Sequence, residues 1–209
     1  MDIHAPHQPV HSWRDFFTHI VIITIGLFLA LMLEAGVDWL HHRHIVREAR
    51  ANIREEIESN HQNAQKDLTF IQQDIDRIHS NIDAIHRLRA DSKNFHGSLT
   101  YSMEFSSFDA AAWTTAQDTG ALGFMPYREV QDDAGLYTEQ QRLNEQAVEL
   151  FHRESLAMTP VFMEDNATDL TPARIESMLH DTAASLIDLQ TLQQLVQQYD
   201  NACVAQLKK

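Results

Sequence analysis

Thirteen histidines in 209 residues are the side chains best suited to chemistry in this sequence. His41, His42 and His44 follow Trp39, with Asp38 before them and Glu48 after. On a helix, Asp38 to His41 and His41 to His44 are steps of three, and His44 to Glu48 is a step of four. That spacing makes His41, His44 and Glu48 candidate ligands of a divalent cation. The plainer reading is an interfacial cluster that hydrogen-bonds lipid headgroups beside neighbouring arginines. Asp76/His79, Asp83/His86 and Glu149/His152 repeat the carboxylate-x-x-His spacing of di-iron bundles. Di-iron ligands project inward, however, whereas His79 and His86 each lie one residue past the apolar positions Ile78 and Ile85, and no four-carboxylate set completes them.

Other chemistries leave no trace in the motifs. Cys203 stands on an apolar helix position, which suits packing better than nucleophilic attack, and a lone cysteine excludes an intrachain disulfide. No serine sits in a G-x-S-x-G turn, and neither a phosphate-cradling P-loop nor a G-x-G-x-x-G fingerprint occurs. With 16 Lys+Arg against 30 Asp+Glu, the net charge of −14 argues against nucleic acid as a partner. The expectation is a chain without catalytic residues and without a cofactor.

The elements that would position these residues begin with a membrane segment. Phe16 to Leu33 contains no Asp, Glu, Lys or Arg. At about 1.5 Å per residue this run spans roughly 27 Å, close to the hydrocarbon thickness of a bilayer. Trp13 and Trp39 bracket it as interfacial anchors, joined by Arg43 and Arg47 on the C-terminal side. A cleaved signal peptide fits less well, because the preceding residues are barely basic and Glu34 stands where small residues should prepare cleavage. The arginines at 43, 47, 50 and 54 outnumber the single Arg14 before the run, so the positive-inside rule keeps the large C-terminal part cytoplasmic.

Within the run, Gly26 and Ala30 form a small-xxx-small pair. Taking His19 as 0°, Gly26, Ala30 and Glu34 fall near −20°, +20° and +60°, at about 100° per residue. One reading is a packing stripe for a second copy or another membrane protein. The other places His19 and Glu34 simply at the two interfaces.

The remainder reads as all-α. Neither Gly nor Pro occurs between Gly36 and Gly97, so the transmembrane helix is expected to continue into a long stalk. Ala64, Leu68, Ile71, Ile75, Ile78, Ile82 and Ile85 recur at spacings of four and three, a heptad seam that weakens at Asn60 and His61. Thr171-Pro172 marks the start of a last helix. The predicted organisation is a short flexible tail over 1–12, a transmembrane helix with its flanks over 13–40, and an antiparallel helical bundle over 41–209. The bundle helices are expected at 41–90, 108–119, 126–157 and 172–207. Ser106 and Asp109 offer a capping box for the second of these, and Gly120 its C-terminal stop. The stretches 91–107 and 158–170 read as connections. Between Phe105 and Met125, the side chains of Phe108, Trp113, Phe124 and Met125 form either a partner face or, on the favoured reading, a plug for the open end of the bundle.

Residues 11–60 and 108–140 carry a resemblance as well. The segment HSWRDFFTHIVIITIGLFLALMLEAGVDWLHHRHIVREAR and the later stretch Ala111–Leu122 resemble an uncharacterised family of bacterial single-pass membrane proteins with a C-terminal helical domain. The resemblance implies the bacterial inner membrane as location and carries no activity with it. The function expected is therefore that of a membrane-anchored structural or interaction protein, oligomeric or an accessory subunit. A membrane-tethered sensor or regulator is the alternative, and a His/carboxylate metal protein a weaker one. Residues 41–209 hold 15 Lys+Arg and 26 Asp+Glu, a net of −11, so the acidic excess belongs to the soluble part.

Overall fold

A computed structural model describes residues 13–163, 166 and 169–209, all of its regular structure helical. The tail expected over 1–12 lies outside the described residues. Two compact units divide the chain, one ending at Glu48 and the other running Ala49–Lys209. Helix α1, Trp13–Ala90, contributes to both; α2 is Ala111–Asp118, α3 Tyr127–Met163 and α4 Pro172–Leu207, with a 3₁₀ turn at Ala121–Phe124.

Over residues 13–41 of the first unit every residue of α1 is exposed. The helix holds an 18-residue window of mean hydropathy 2.5, none of it buried, and is the one helix among the described residues long and apolar enough to cross a membrane. Two of its polar side chains bond to the preceding turn: His19 Nδ1 donates to the carbonyl of Asp15 at 2.7 Å, and Thr18 Oγ1 to that of Arg14 at 2.8 Å.

In the second unit α1, α3 and α4 pack side by side, and the pairs between them give their directions. Arg50 meets Glu129, Glu56 meets Tyr137, Asn60 meets Gln140 and Arg77 meets Glu154, so numbers rise together and α1 and α3 run parallel. Arg54 meets Leu207, His61 meets Asp200 and Arg89 meets Glu176, so α4 runs against α1. Gln206 with Asp133 and Tyr199 with Gln140 make α4 antiparallel to α3 also. The expected antiparallel bundle is thus corrected at one pairing. The reason is the connection after Ala90, which is no hairpin: it carries the chain back along α1 before α3 begins.

The heptad seam is interior, with Ala64, Ile71, Ile75, Ile78 and Ile85 all buried. At the end where α1 stops, Ile85 and Leu88 pack with Leu170, Ile175 and Met178. Two local expectations change. Helix α2 begins at Ala111 rather than 108, and its N-cap residue Ala110 provides no side-chain bond. Ser106 and Asp109 are instead engaged through their backbone, as described below. Helix α3 continues past 157 to Met163 with Pro160 inside its last turn, because Met158 is buried and Val161 packs against the Ile85–Met178 cluster. Thr171 caps α4 through a bond from Arg174 N, as its Thr-Pro sequence predicts. Gly120, at φ 73°, makes the left-handed turn between α2 and the 3₁₀ segment.

Candidate functional site

The most organised constellation is a polar stripe on α1 that sequence reasoning reads past. Asn60, Asp67, Asp74 and Asn81 recur every seven residues, and all four are buried. Residues at one heptad position line one edge of a helix, so these polar groups form a row beside the apolar seam. Buried polar groups require partners, and here the partners come from an extended segment, residues 98–110, which runs back along α1 as a strap.

Asparagine clamps fasten the strap. Asn81 Nδ2 donates to the carbonyl of Thr100 at 2.8 Å, while its Oδ1 accepts from Thr100 N at 3.0 Å. Asn60 grips Asp109 in the same two-bond manner, at 2.8 and 2.9 Å. From α3, Asn144 holds Phe108, both bonds at 3.1 Å. Each amide thus pairs with one residue's own N–H and C=O, as a neighbouring strand would. Asp67 Oδ1 accepts from Ser106 N at 2.8 Å. The geometry closes: Asn60 to Asn81 spans roughly 31 Å of helix, and nine extended residues from Thr100 to Asp109 cover roughly the same distance.

Further bonds lock the far end of the strap. Gln140 Nε2 donates to the carbonyl of Asp109 at 2.8 Å, and its Oε1 accepts from Asn60 Nδ2 at 3.1 Å and Tyr199 Oη at 2.8 Å. Glu56 accepts from Ala112 N at 2.7 Å, Trp113 N at 3.3 Å and Tyr137 Oη at 2.7 Å. A carboxylate from α1 therefore caps α2 where the Ser106/Asp109 box was expected, and negative charge suits a helix N-terminus. Trp113 stacks on Tyr137 at 5.1 Å.

Where the stripe reaches Asp74 the chemistry changes. Arg77 Nη1 pairs with Asp74 at 2.8 Å, and Arg77 Nη2 lies 3.6 Å from Glu154 of α3, beyond hydrogen-bond reach. Burial pushes the carboxyl of Glu154 up to about 7 and those of Asp67 and Asp74 up to about 6; Arg77 works against the rise at Glu154 and Asp74, and the Ser106 backbone bond against that at Asp67. Cys203 is fully buried, and desolvation raises its thiol to about 11, which keeps it protonated and unreactive.

At the other end of the unit, α1, α3 and α4 border an open cleft of about 610 Å³. Several of its charged groups pair within it. Arg50 makes a two-bond pair with Glu129 at 2.6 and 2.7 Å, Lys209 meets Asp132 at 2.6 Å, and Arg54 donates to the carbonyl of Leu207 at 2.7 Å. The Lys209 contact holds Asp132 below the ordinary carboxylate range.

The residues singled out in the sequence fall in several places. His19, Gly26, Ala30 and Glu34 are exposed on α1, and a side-chain carbon at Gly26 would meet nothing within 4 Å. Trp13 rests against Phe16 and Phe17, and the Arg43 guanidinium lies 5.1 Å from the Trp39 ring centre; Arg47 is exposed. Asp38, His41, His44 and Glu48 do not converge: among the described residues no group of three or more His, Cys, Asp or Glu is placed to hold a metal ion. Phe108, Trp113 and Met125 are buried and Phe124 is exposed, so an outward face in this stretch reduces to Phe124. The clamp residues on α1 escape the sequence reading, and their seven-residue recurrence is the signal that could find them; Asn144 on α3 carries no such signal. No family model, curated protein or solved structure matches the chain.

Proposed function

We propose that the chain is a membrane-anchored, non-enzymatic interaction protein. Residues 13–40 of α1 lie in the bilayer, and the unit 49–209 is a helical module that meets protein partners. The observation that carries this reading is the uncovered 18-residue window of mean hydropathy 2.5, since soluble folds rarely leave so large an apolar surface open. Tryptophans at both ends of the window, and an arginine over Trp39, add interfacial character. The stripe of His19, Gly26, Ala30 and Glu34 is the surface proposed for self-association or for a second membrane protein. The charge asymmetry favours a cytoplasmic C-terminal unit, and the resemblance to bacterial single-pass proteins favours the bacterial inner membrane.

Alkaline carbonate extraction of native membranes, followed by mass measurement in detergent, tests both halves. The reading predicts retention in the pellet and either a mass above one protomer or a co-purifying protein. Release into the supernatant would remove the anchor, and a lone monomer would remove the association. A periplasm-only reporter fused to the C-terminus should be inactive; activity would reverse the orientation. A second reading, a membrane-tethered sensor or regulator, draws on the buried carboxyls Asp67, Asp74 and Glu154, whose raised pKa values lie near neutrality.

A further inference from the structure

The strap is fastened at Thr100, at Tyr101, whose hydroxyl lies 2.9 Å from Ser155 Oγ of α3, and from Ser106 to Asp109, yet between those points it crosses the one rung of the stripe that makes no bond to it. That rung is Asp74, turned to Arg77. Glu154 faces the same place from α3 and is 2% exposed, and neither of its oxygens has a hydrogen-bond partner among the described residues. A void of about 10 Å³ is bordered by Arg77, Asn81, Glu154 and Thr182 together with Thr100 and Tyr101 of the strap. Just above Asp74, the strap presents the exposed Glu104, whose charge opposes ionisation of Asp74.

The charges facing this point can be named from every side. Helix α1 supplies Asp74 and Arg77, α3 supplies Glu154, the strap supplies Glu104, and α4 lines the void with uncharged Thr182 and Ser185. Lys66 acts on Asp67 one rung away, and His61 is occupied with Asp200, roughly 20 Å along α1 from Asp74. With every carboxyl ionised, Arg77 is a single cation against three anions. Two of those anions are fixed on packed helices; the third rides on a non-helical segment anchored only to either side.

We propose that Asp74, Arg77 and Glu154 form a proton-binding site that latches the strap: proton uptake closes residues 102–105 over the cluster, and proton loss lifts them through repulsion of Glu104. The raised carboxyl values of Asp74 and Glu154 agree with this arrangement. For a carboxyl whose folded pKa lies above its unfolded one, the stabilisation is complete below the unfolded pKa and disappears as pH rises through the folded one. The closed strap is therefore favoured in acid and lost as pH climbs through about 6 and then about 7.

Hydrogen exchange of the full chain in detergent, read by mass spectrometry between about pH 5.5 and 8.5, tests the latch. After correction for intrinsic exchange, protection over residues 102–106 should fall about tenfold, the equilibrium change expected when the pKa governing release of one proton shifts by about one unit. Protection over 143–150 in α3 should stay constant. Glu104→Gln, an exposed change outside the packed core, should shrink that fall to well below tenfold, because the ionised cluster then has no charge on the strap to repel. Asp74→Asn combined with Glu154→Gln should flatten the profile. A flat wild-type profile, a parallel fall over 143–150, or an undiminished fall in Glu104→Gln would each overturn the proposal, and the last stands even if the double variant does not fold.

Discussion

Ile22, Leu27, Phe28 and Met32 stand open on helix α1, while Asn60, Asp67 and Asn81, farther along the same helix, are shut inside. Water-driven folding arranges such residues the other way round, since apolar side chains leave water readily and polar ones do so only when paired. Each inversion needs its own compensation. For Asn81, Asn60 and one oxygen of Asp67 it is visible: backbone groups of the strap meet them at 2.8 to 3.0 Å. The open apolar stretch has no counterpart among the described residues, so on our proposal the counterpart is lipid. Polarity alone does not decide burial along α1; the neighbour against each stretch does.

Substitutions that reverse one side of this comparison should have the largest effect where the environment is least forgiving. Ile25→Arg puts a charge in the middle of the open stretch, which costs about 3 kcal/mol of insertion free energy at a bilayer centre. The carbonate-resistant fraction should drop sharply, and unchanged retention would count against lipid as the neighbour. Asn60→Ala removes both bonds to Asp109 and one to Gln140, leaving the Asp109 N–H without its partner at a cost of about 1–3 kcal/mol. Urea unfolding of the detergent-solubilised chain should show that loss, and a loss below about 0.5 kcal/mol would mean that the strap contributes little to the bundle. Arg50→Ala breaks only the solvent-facing pair with Glu129, so unfolding should change by less than about 1 kcal/mol. A larger change there would show that the open cleft, rather than the stripe, holds the helices together.

Much of this architecture is written plainly in the residues. The seam from Ala64 to Ile85 announces itself by spacing, and every seam residue but Leu68 and Ile82, which are half-buried, lies in the core. Thr171-Pro172 marks the start of α4 because capping is a local event between a few neighbouring atoms. The stripe is harder to see. Asn and Asp on a helix normally face water, and the strap that meets them is irregular, so it leaves no periodicity of its own. Asn60 shows up in the sequence only as a gap in the seam. The parallel course of α1 and α3 is hidden for the same reason: direction depends on the path of residues 91–110, and that path follows from bonds to side chains far away in sequence. Helix α2 shows the point in small, with Glu56 serving as its cap from more than fifty residues upstream.

The three tryptophans provide the most direct test of the central contrast, that α1 meets lipid along 13–40 while the unit 49–209 seals itself. Trp13 and Trp39 are 76% and 57% exposed, whereas Trp113 is 8% exposed and stacked on Tyr137. Variants of the full chain that each retain one tryptophan, reconstituted in vesicles with bromine on the acyl chains, report contact with lipid through fluorescence quenching. Strong quenching of Trp13 and Trp39 with none at Trp113 is the predicted result. Equal quenching at all three positions, or none at Trp13 and Trp39, would contradict it.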